Sequence, residues 1–319
     1  MGYGFNGFIG LGKETGWGSG VAAVEYIEAL SESVEVTMER FGYKAMIASM
    51  GEPDDAVGLV RVAGSIRMAA HPGNLHQLLR GCLHSFDMTS TTGPLMSYAF
   101  VTTSGGADFS TECPITPYSV EVFRDVTSSM RYAGCVFDSL SFNFNQQGPV
   151  MVDAALIGRS FAQIAKTTPV FPNSPSPKPF TFDTVSLSIG GAGTALIESL
   201  TVQIQNNLTG FGALNLSPYI AKVRRNNHQM VNVTGTLDFT NHDEFMKFVN
   251  QTEQRLVINA TKTPSNNLTI DIPRMVYTAF PLGVPGRERL TVNFTGKGFV
   301  HPGSQNAIKV TLTTPTSLR

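Results

Sequence analysis

A chain of 319 residues has room for about two domains of ordinary size. Apolar residues make up 42% and charged residues only 15%, against roughly 25% in a typical soluble domain, which suggests that much of the surface is covered by other protein. Lys and Arg total 23 and Asp and Glu 24, so the net charge of −1 excludes a strongly basic nucleic-acid binder.

The chain opens on a Gly-rich stretch, residues 1–20, read as an N-terminal arm. Gly2-x-Gly4-x-x-Gly7 follows no strand and opens no helix, so it lacks the setting of a dinucleotide site. The start has no basic region followed by an apolar run, and no segment reaches the ~18 apolar residues of a membrane span. Folding in the cytosol without membrane contact is the expectation. Between Glu25 and Asp55 stand eight acids and two bases, an acidic stretch that would repel a polyanion.

Period-two alternation marks half-buried antiparallel strands. It runs through Val34, Val36 and Met38 against Glu35, Thr37 and Glu39, and through Leu140, Phe142 and Phe144 against Ser141, Asn143 and Asn145. It returns in Leu200, Val202 and Ile204 against Thr201, Gln203 and Gln205, and in Leu290, Val292 and Phe294 against Thr291, Asn293 and Thr295. One helix is predicted in each half. The first follows His71-Pro72-Gly73-Asn74 with Leu75, Leu78, Leu79 and Leu83 at helical spacing; the second follows Asn241-His242-Asp243 with Phe245, Met246, Phe248 and Val249. Five of the 18 prolines fall between Pro169 and Pro179, too dense for helix or central strand, and read as a stiff linker. Gly190-Gly191-Ala192-Gly193 reads as a hairpin turn.

The two halves align with each other. Residues 60–68 match 231–239 at an offset of 171, residues 32–38 match 198–204 at 166, and Val150, Val152, Ala154 and Gly158 match Leu290, Val292, Phe294 and Gly298 at 140. Three blocks in one order point to internal duplication. The expected organisation is an arm (1–20), a first unit (21–165), a Pro-rich linker (166–180) and a second unit (181–319), each unit mainly β with one helix packed on it.

Nothing in the sequence asks for chemistry. Cys82, Cys113 and Cys135 form neither a C-x-x-C site nor an even set, and read as small apolar thiols. Six histidines lack H-E-x-x-H spacing, so no metal and no cofactor are expected. No catalytic residue is assigned, and an enzyme is not expected.

Several stretches together resemble the bacteriophage tail tube protein (major tail protein) of long non-contractile tails, in its duplicated family. They are Gly12-Lys13-Glu14-Thr15-Gly16-Trp17-Gly18, Glu32-Ser33-Val34, Gly64-Ser65-Ile66, Tyr132 to Leu140, Gln205-Asn206-Asn207-Leu208, Val233 to Leu237 and Ile272-Pro273-Arg274. The resemblance implies two tandem tail-tube-like β-sandwich units, each with a flanking α-helix. It implies rings of three chains with pseudo-six-fold symmetry, or of six chains, stacked into a tube in the virion tail after assembly in the host cytoplasm. Viral double-stranded DNA would pass transiently through a hydrated, partly acidic lumen during ejection. Tape-measure, tail-terminator and tail-tip proteins would be further partners. A surface or secreted β-sandwich adhesin, binding carbohydrate, is the alternative, although Trp17 is the one tryptophan available for an aromatic platform.

On that reading the lumen-facing candidates are Glu35, Thr37, Glu39, Asn143, Thr201, Gln203, Thr291 and Asn293. Ring-stacking contacts are expected in residues 42–58 and 206–228, at Tyr43, Glu52, Asp54, Asp55, Phe211, Tyr219, Arg224 and Arg225. The arm and the linker are expected to bridge neighbours.

Overall fold

The structure is a computed structural model that describes residues 2–43, 46, 50–51, 54–92, 95–102, 115–171, 178–193, 197–283, 286–287 and 289–315. The candidates Glu52 and Cys113 lie outside these residues.

The first half forms β1 (Phe8–Lys13), β2 (Glu25–Ile27), β3 (Ala29–Glu32), β4 (Glu35–Tyr43), β5 (Asp54–Ala69), α1 (Leu75–Leu83), β6 (His84–Thr92), β7 (Leu95–Thr102), β8 (Tyr118–Phe123), β9 (Ser129–Asn145), β10 (Met151–Gly158) and β11 (Ser160–Ile164). The second half forms β12 (Val185–Ile189), β13 (Ala192–Gly193), β14 (Ile197–Gln205), β15 (Leu208–Phe211), β16 (Lys222–Arg225), β17 (Met230–Asp238), α2 (Asp243–Val249), β18 (Gln254–Thr263), β19 (Asn266–Ala279), β20 (Thr291–Gly298) and β21 (Lys309–Thr314). The chain is mainly β, and among the described residues no helix is long and apolar enough to cross a membrane.

Eight strands run edge to edge in the order β4–β5–β10–β9–β14–β17–β20–β19, every pair antiparallel. The first four come from the first half and the last four from the second. The seam is β9–β14, where Asn145 faces Ser199 and Ser139 faces Gln205. β9 and β19 are long enough to serve two layers. The N-terminal part of β9 pairs with β8 and β11, and that of β19 with β18 and β21. Buried residues of both layers, from Ile9 and Val120 to Phe142, Val202, Ile270 and Phe294, belong to one continuous core.

Local chemistry explains the breaks. Gly190 and Gly191 take φ of 64° and 86°, the double left-handed turn that two adjacent glycines allow between β12 and β13. α1 buries Leu75, Leu78, Leu79 and Cys82 completely, whereas α2 is half-exposed and leans Phe245 and Phe248 on the core edge. The Cys82 and Cys135 thiols are free and buried; burial pushes Cys82 up to about 12, so both are inert packing groups.

Three expectations change. The arm is shorter than 1–20, because Phe8, Ile9 and Leu11 are apolar enough to make β1 a buried strand between β2 and β8. Beyond it, the buried Glu14 carboxylate accepts from the Gly18 N–H (2.6 Å), the Ser119 hydroxyl (2.6 Å) and the Gly134 N–H (2.9 Å), which fastens residues 14–18 to β8 and β9. The division at 166–180 does not separate two closed sheets. Hairpin β6–β7 of the first half pairs through β7 with β21, Lys309 opposite Val101. The linker also ends inside the fold: Phe180 is fully buried and its N–H donates to the Ala70 carbonyl, 3.0 Å away.

The internal alignment shifts as well. Ile157 pairs with Val136 and Lys297 with Val276; Ala155 pairs with Ser139 and Thr295 with Ala279. Both ladders break at the equivalent point, so Asp138 and Thr278 occupy the same bulge, 140 positions apart. Leu156 faces Gly64 in one half, and its counterpart Gly296 faces Val233 in the other. Gly64 therefore corresponds to Val233, an offset of 169, and not to Gly235. A slide of two residues keeps every side chain on its own face of the sheet.

Candidate functional site

The eight-stranded sheet has two chemically distinct faces. Val34, Val62, Phe142, Val152, Val202, Val233 and Val292 point into the core and are nearly or wholly buried. The opposite face carries Glu35, Thr37, Ser141, Asn143, Asp153, Thr201, Gln203, Thr234, Thr291 and Asn293, all half-buried or exposed. Strand alternation alone produces this division.

The polar side chains form cross-strand networks. Thr201 donates to Asn143 Oδ1 (2.9 Å), and Asn143 donates to Asp153 Oδ2 (2.9 Å), so hydrogen bonds cross the β9–β14 seam. Arg67 Nε lies 3.7 Å from Asp153 Oδ1 and extends this line to β5. In the second half Ser199 donates to Thr236 (3.2 Å), and Thr236 donates to Asn293 Oδ1 (2.8 Å). Several charges on the face are paired: Arg61 with Glu39 at 2.9 Å, and Arg289 with both Glu198 and Asp238. Ser141, Asp153, Thr234 and Thr236 belong to the face but were not among the sequence candidates.

Part of the acidic stretch is paired, so its repulsion of a polyanion is weaker than a count of its acids implies. Glu25 contacts His76 (3.0 Å), Glu28 contacts His71 (3.5 Å), Glu32 meets Arg124 (2.7 Å), Glu39 meets Arg61 (2.9 Å) and Asp55 meets Arg40 (2.9 Å). Apart from Arg40, which lies within the stretch, these partners come from segments outside it, so no local count could reveal them. Of these acids only Glu39 shares the polar face with Glu35.

At one end of the sheet two hairpins project. β4 and β5 run on as a ladder to Tyr43 and Asp54, beyond a break in register at Glu39. After β14 the chain turns at Asn207, whose φ is 53°, and forms the separate hairpin β15–β16. Asn206 anchors the second hairpin. Fully buried, its Nδ2 donates to the carbonyls of Cys82 (2.9 Å) and Phe137 (3.0 Å), while its Oδ1 accepts from Gln229 (2.8 Å). The Asp138 carboxylate accepts from the Leu208 N–H at 2.6 Å; burial raises this carboxyl above its ordinary value and that bond partly offsets the rise. The hairpin then lies over the first half, where Leu208, Ile220 and Val223 cover Val136 and pack with Trp17 and Ile157.

Tyr43, Asp54 and Asp55 sit at the end of the first hairpin, and Phe211 and Arg224 on the second. Tyr219 and Arg225 are not free tips. The Tyr219 ring packs on Phe161, and its backbone bridges to Val60. Arg225 is half-buried, and that burial lowers its pKa. The most exposed apolar side chains at this end are others: Met46, Met50, Leu214 and Leu216, with Phe41 and Val57 beside them. Residues 213–218 lie alongside Val57, Gly58 and Leu59, so the two excursions form one apolar end surface. The stretches 42–58 and 206–228 include all of these but Phe41, yet sequence reasoning singled none of them out, because scattered apolar side chains show no period.

Among the described residues no cluster of three or more His, Cys, Asp or Glu side chains could hold a metal. A search of curated proteins returns no match. A family model described as phage tail tube protein matches residues 4–297, nearly the whole of the β-rich chain and both of its polar half-faces. On that match the chain belongs to the phage tail tube protein family, a family of structural components of the virion tail.

Proposed function

We propose that this protein is the tube subunit of a long, non-contractile phage tail, and that the polar face of its eight-stranded sheet lines the lumen through which DNA leaves. The carrying observation is the β9–β14 seam, which makes one sheet, with one polar face, out of strands from both halves. On this reading the halves are duplicated tail-tube-like sandwich units. The ladders repeated 140 residues apart support that, down to the shared bulge at Asp138 and Thr278. Each chain then supplies two sixths of a ring, so three chains close it.

Three sheets of eight strands give a barrel of 24. With strands about 4.8 Å apart and tilted by about 40°, its backbone radius is roughly 24 Å, which leaves an open bore after side chains are added. The bore is walled by hydroxyls, amides and paired charges, with few unpaired cations to hold phosphate. The apolar end surface formed by Phe41, Val57, Leu214 and Leu216 is the stacking face between rings. Closure across subunits also removes the open edges of the sheet.

Electron microscopy of the purified protein tests the proposal. Rings or tubes with a central hole and three chains per ring are expected. A monomer that persists at high concentration overturns it, as do rings whose lumen is lined by the apolar face.

A further inference from the structure

Among the described residues two edges of the eight-stranded sheet have no strand partner, β4 at one end and the C-terminal part of β19 at the other. We propose that the joint between β9 and β14 recurs between copies, with β4 and the base of its hairpin docking on the C-terminal part of β19 of a second copy, in a register that the seam dictates. This rests on the ring reading above.

The correspondences come from the ladders. β9 maps onto β19 140 positions on. β4 maps onto β14 168 positions on, since Val36 faces Val62 as Ile204 faces Val231, and Val62 and Val231 lie at the 169 offset. The hairpins agree: the break in register at Glu39 matches the left-handed turn at Asn207, and Tyr43 opposite Asp54 matches Phe211 opposite Lys222. Ser139 opposite Gln205 therefore becomes Ala279 opposite Thr37 of the next copy. Leu140 opposite Ile204 becomes Phe280 opposite Val36, and Ser141 opposite Gln203 becomes Pro281 opposite Glu35.

Four observations favour this joint. β9 is paired on both sides and runs to Asn145, whereas β19, open on one side, ends at Ala279 although its counterpart stretch continues. The Asn206 N–H donates to the Asp138 carbonyl, so bonding alternates from there, and Pro281 falls where no N–H is required. The ladder has a natural end at Val34, whose N–H is taken by Glu32 and whose carbonyl is taken by Arg124 and Tyr132. Finally, Val136 is fully buried beneath hairpin β15–β16, while its counterpart Val276 is half-exposed. The apolar partners Val223 and Ile157 of the seam have the counterparts Asp55 and Lys297, which carry opposite charges. The hairpin base thus acts sideways, within a ring, while its tip remains available for stacking.

Cysteine pairing tests the register. Thr37 and Ala279 are both exposed, and a non-hydrogen-bonded antiparallel pair brings Cα atoms to about 4.5 Å, within disulfide range. In assembled wild-type-like tubes, Thr37→Cys with Ala279→Cys gives covalent dimers and trimers under mild oxidation, and each single variant gives none. Charge reversal tests the hairpin. Asp55→Lys or Lys297→Asp alone raises the concentration needed for ring formation by about fivefold, and the two together lower it again, short of the wild type because Asp55→Lys also strands Arg40. Rings of the double-cysteine variant that assemble but fail to cross-link, or a double reversal no better than the singles, overturn the joint while leaving the tube intact. Absence of any wild-type assembly overturns the tube reading instead.

Discussion

Replacing Asn206 by Ala should loosen the joint between the halves. The side chain is fully buried and donates to two carbonyls, Cys82 O at 2.9 Å and Phe137 O at 3.0 Å. Regular structure leaves both needy: the first ends helix α1 and the second borders the β9 bulge. Alanine leaves them without this donor, at about 1–3 kcal/mol each, so the total loss is about 2–6 kcal/mol. That lies within the stability of a typical domain, so the variant should still fold. Chemical denaturation of the unassembled protein measures the loss. Cys82 supplies a local readout, since Asn206 Nδ2 lies 3.4 Å from its Sγ and burial raises the thiol to about 12. If residues 206–228 open more readily by the stated free energy, thiol labelling at Cys82, located by mass spectrometry, accelerates by tens to tens of thousands of times. Asn206→Asp should be worse, because it aims an acceptor at two acceptors. A loss below about 0.5 kcal/mol with unchanged labelling would refute the anchoring role.

Stability should also depend on Asp138. Burial raises its folded pKa above the unfolded value, so the folded state holds the proton more tightly, and stability falls as pH rises from the ordinary carboxylate range through the folded value. Asp138→Asn keeps an acceptor for the Leu208 N–H and should flatten that slope in denaturation curves; an unchanged slope would count against the assignment. Glu35→Lys and Glu39→Lys should leave tubes assembling but slow DNA ejection, with a salt dependence the wild type lacks; Glu39→Lys also strands Arg61. Failed assembly with normal ejection from surviving particles would mean that these side chains serve the joint between copies and do not face the bore.

Alternation was legible because each strand needed only its own residues to show it. The polar face emerged at Glu35, Thr37, Asn143, Thr201, Gln203, Thr291 and Asn293 before any pairing was known. Pairing between distant strands was less legible. The repeat of β4 and β5 was detected two residues out of register, since an even slide leaves the alternation intact and Gly235 offers a tempting match for Gly64. β1 was hidden among glycines: Gly10 and Gly12 face Tyr26 and the Ala22 backbone at distances that exclude a side chain, so they mark close packing and not a loose arm. The partners of the acidic stretch were illegible in principle, because Arg61, Arg124, His71 and His76 reach it only through the fold.

The contrast between the paired and the open edges bears on when assembly happens. Within the chain, β9 and β14 meet through Ser, Asn, Gln and apolar residues, and the joint is locked by a buried asparagine. The open edges carry a different set. β4 has Glu35, Glu39 and Arg40 with a break in register between Met38 and Arg40, and the stretch after β19 has Pro281. Charges, bulges and prolines are the devices that keep a free strand from recruiting the wrong partner. A subunit whose halves were joined by the same charged edges would risk opening in solution, and one whose outer edges were as plain as β9 and β14 would polymerise wherever it was made. On the proposed reading, fusing two units in one chain makes half of the lateral joints in each ring intramolecular. Specificity then has to be encoded only at the other half, where Asp55 and Lys297 replace an apolar contact and correct partnering depends on charge as well as shape.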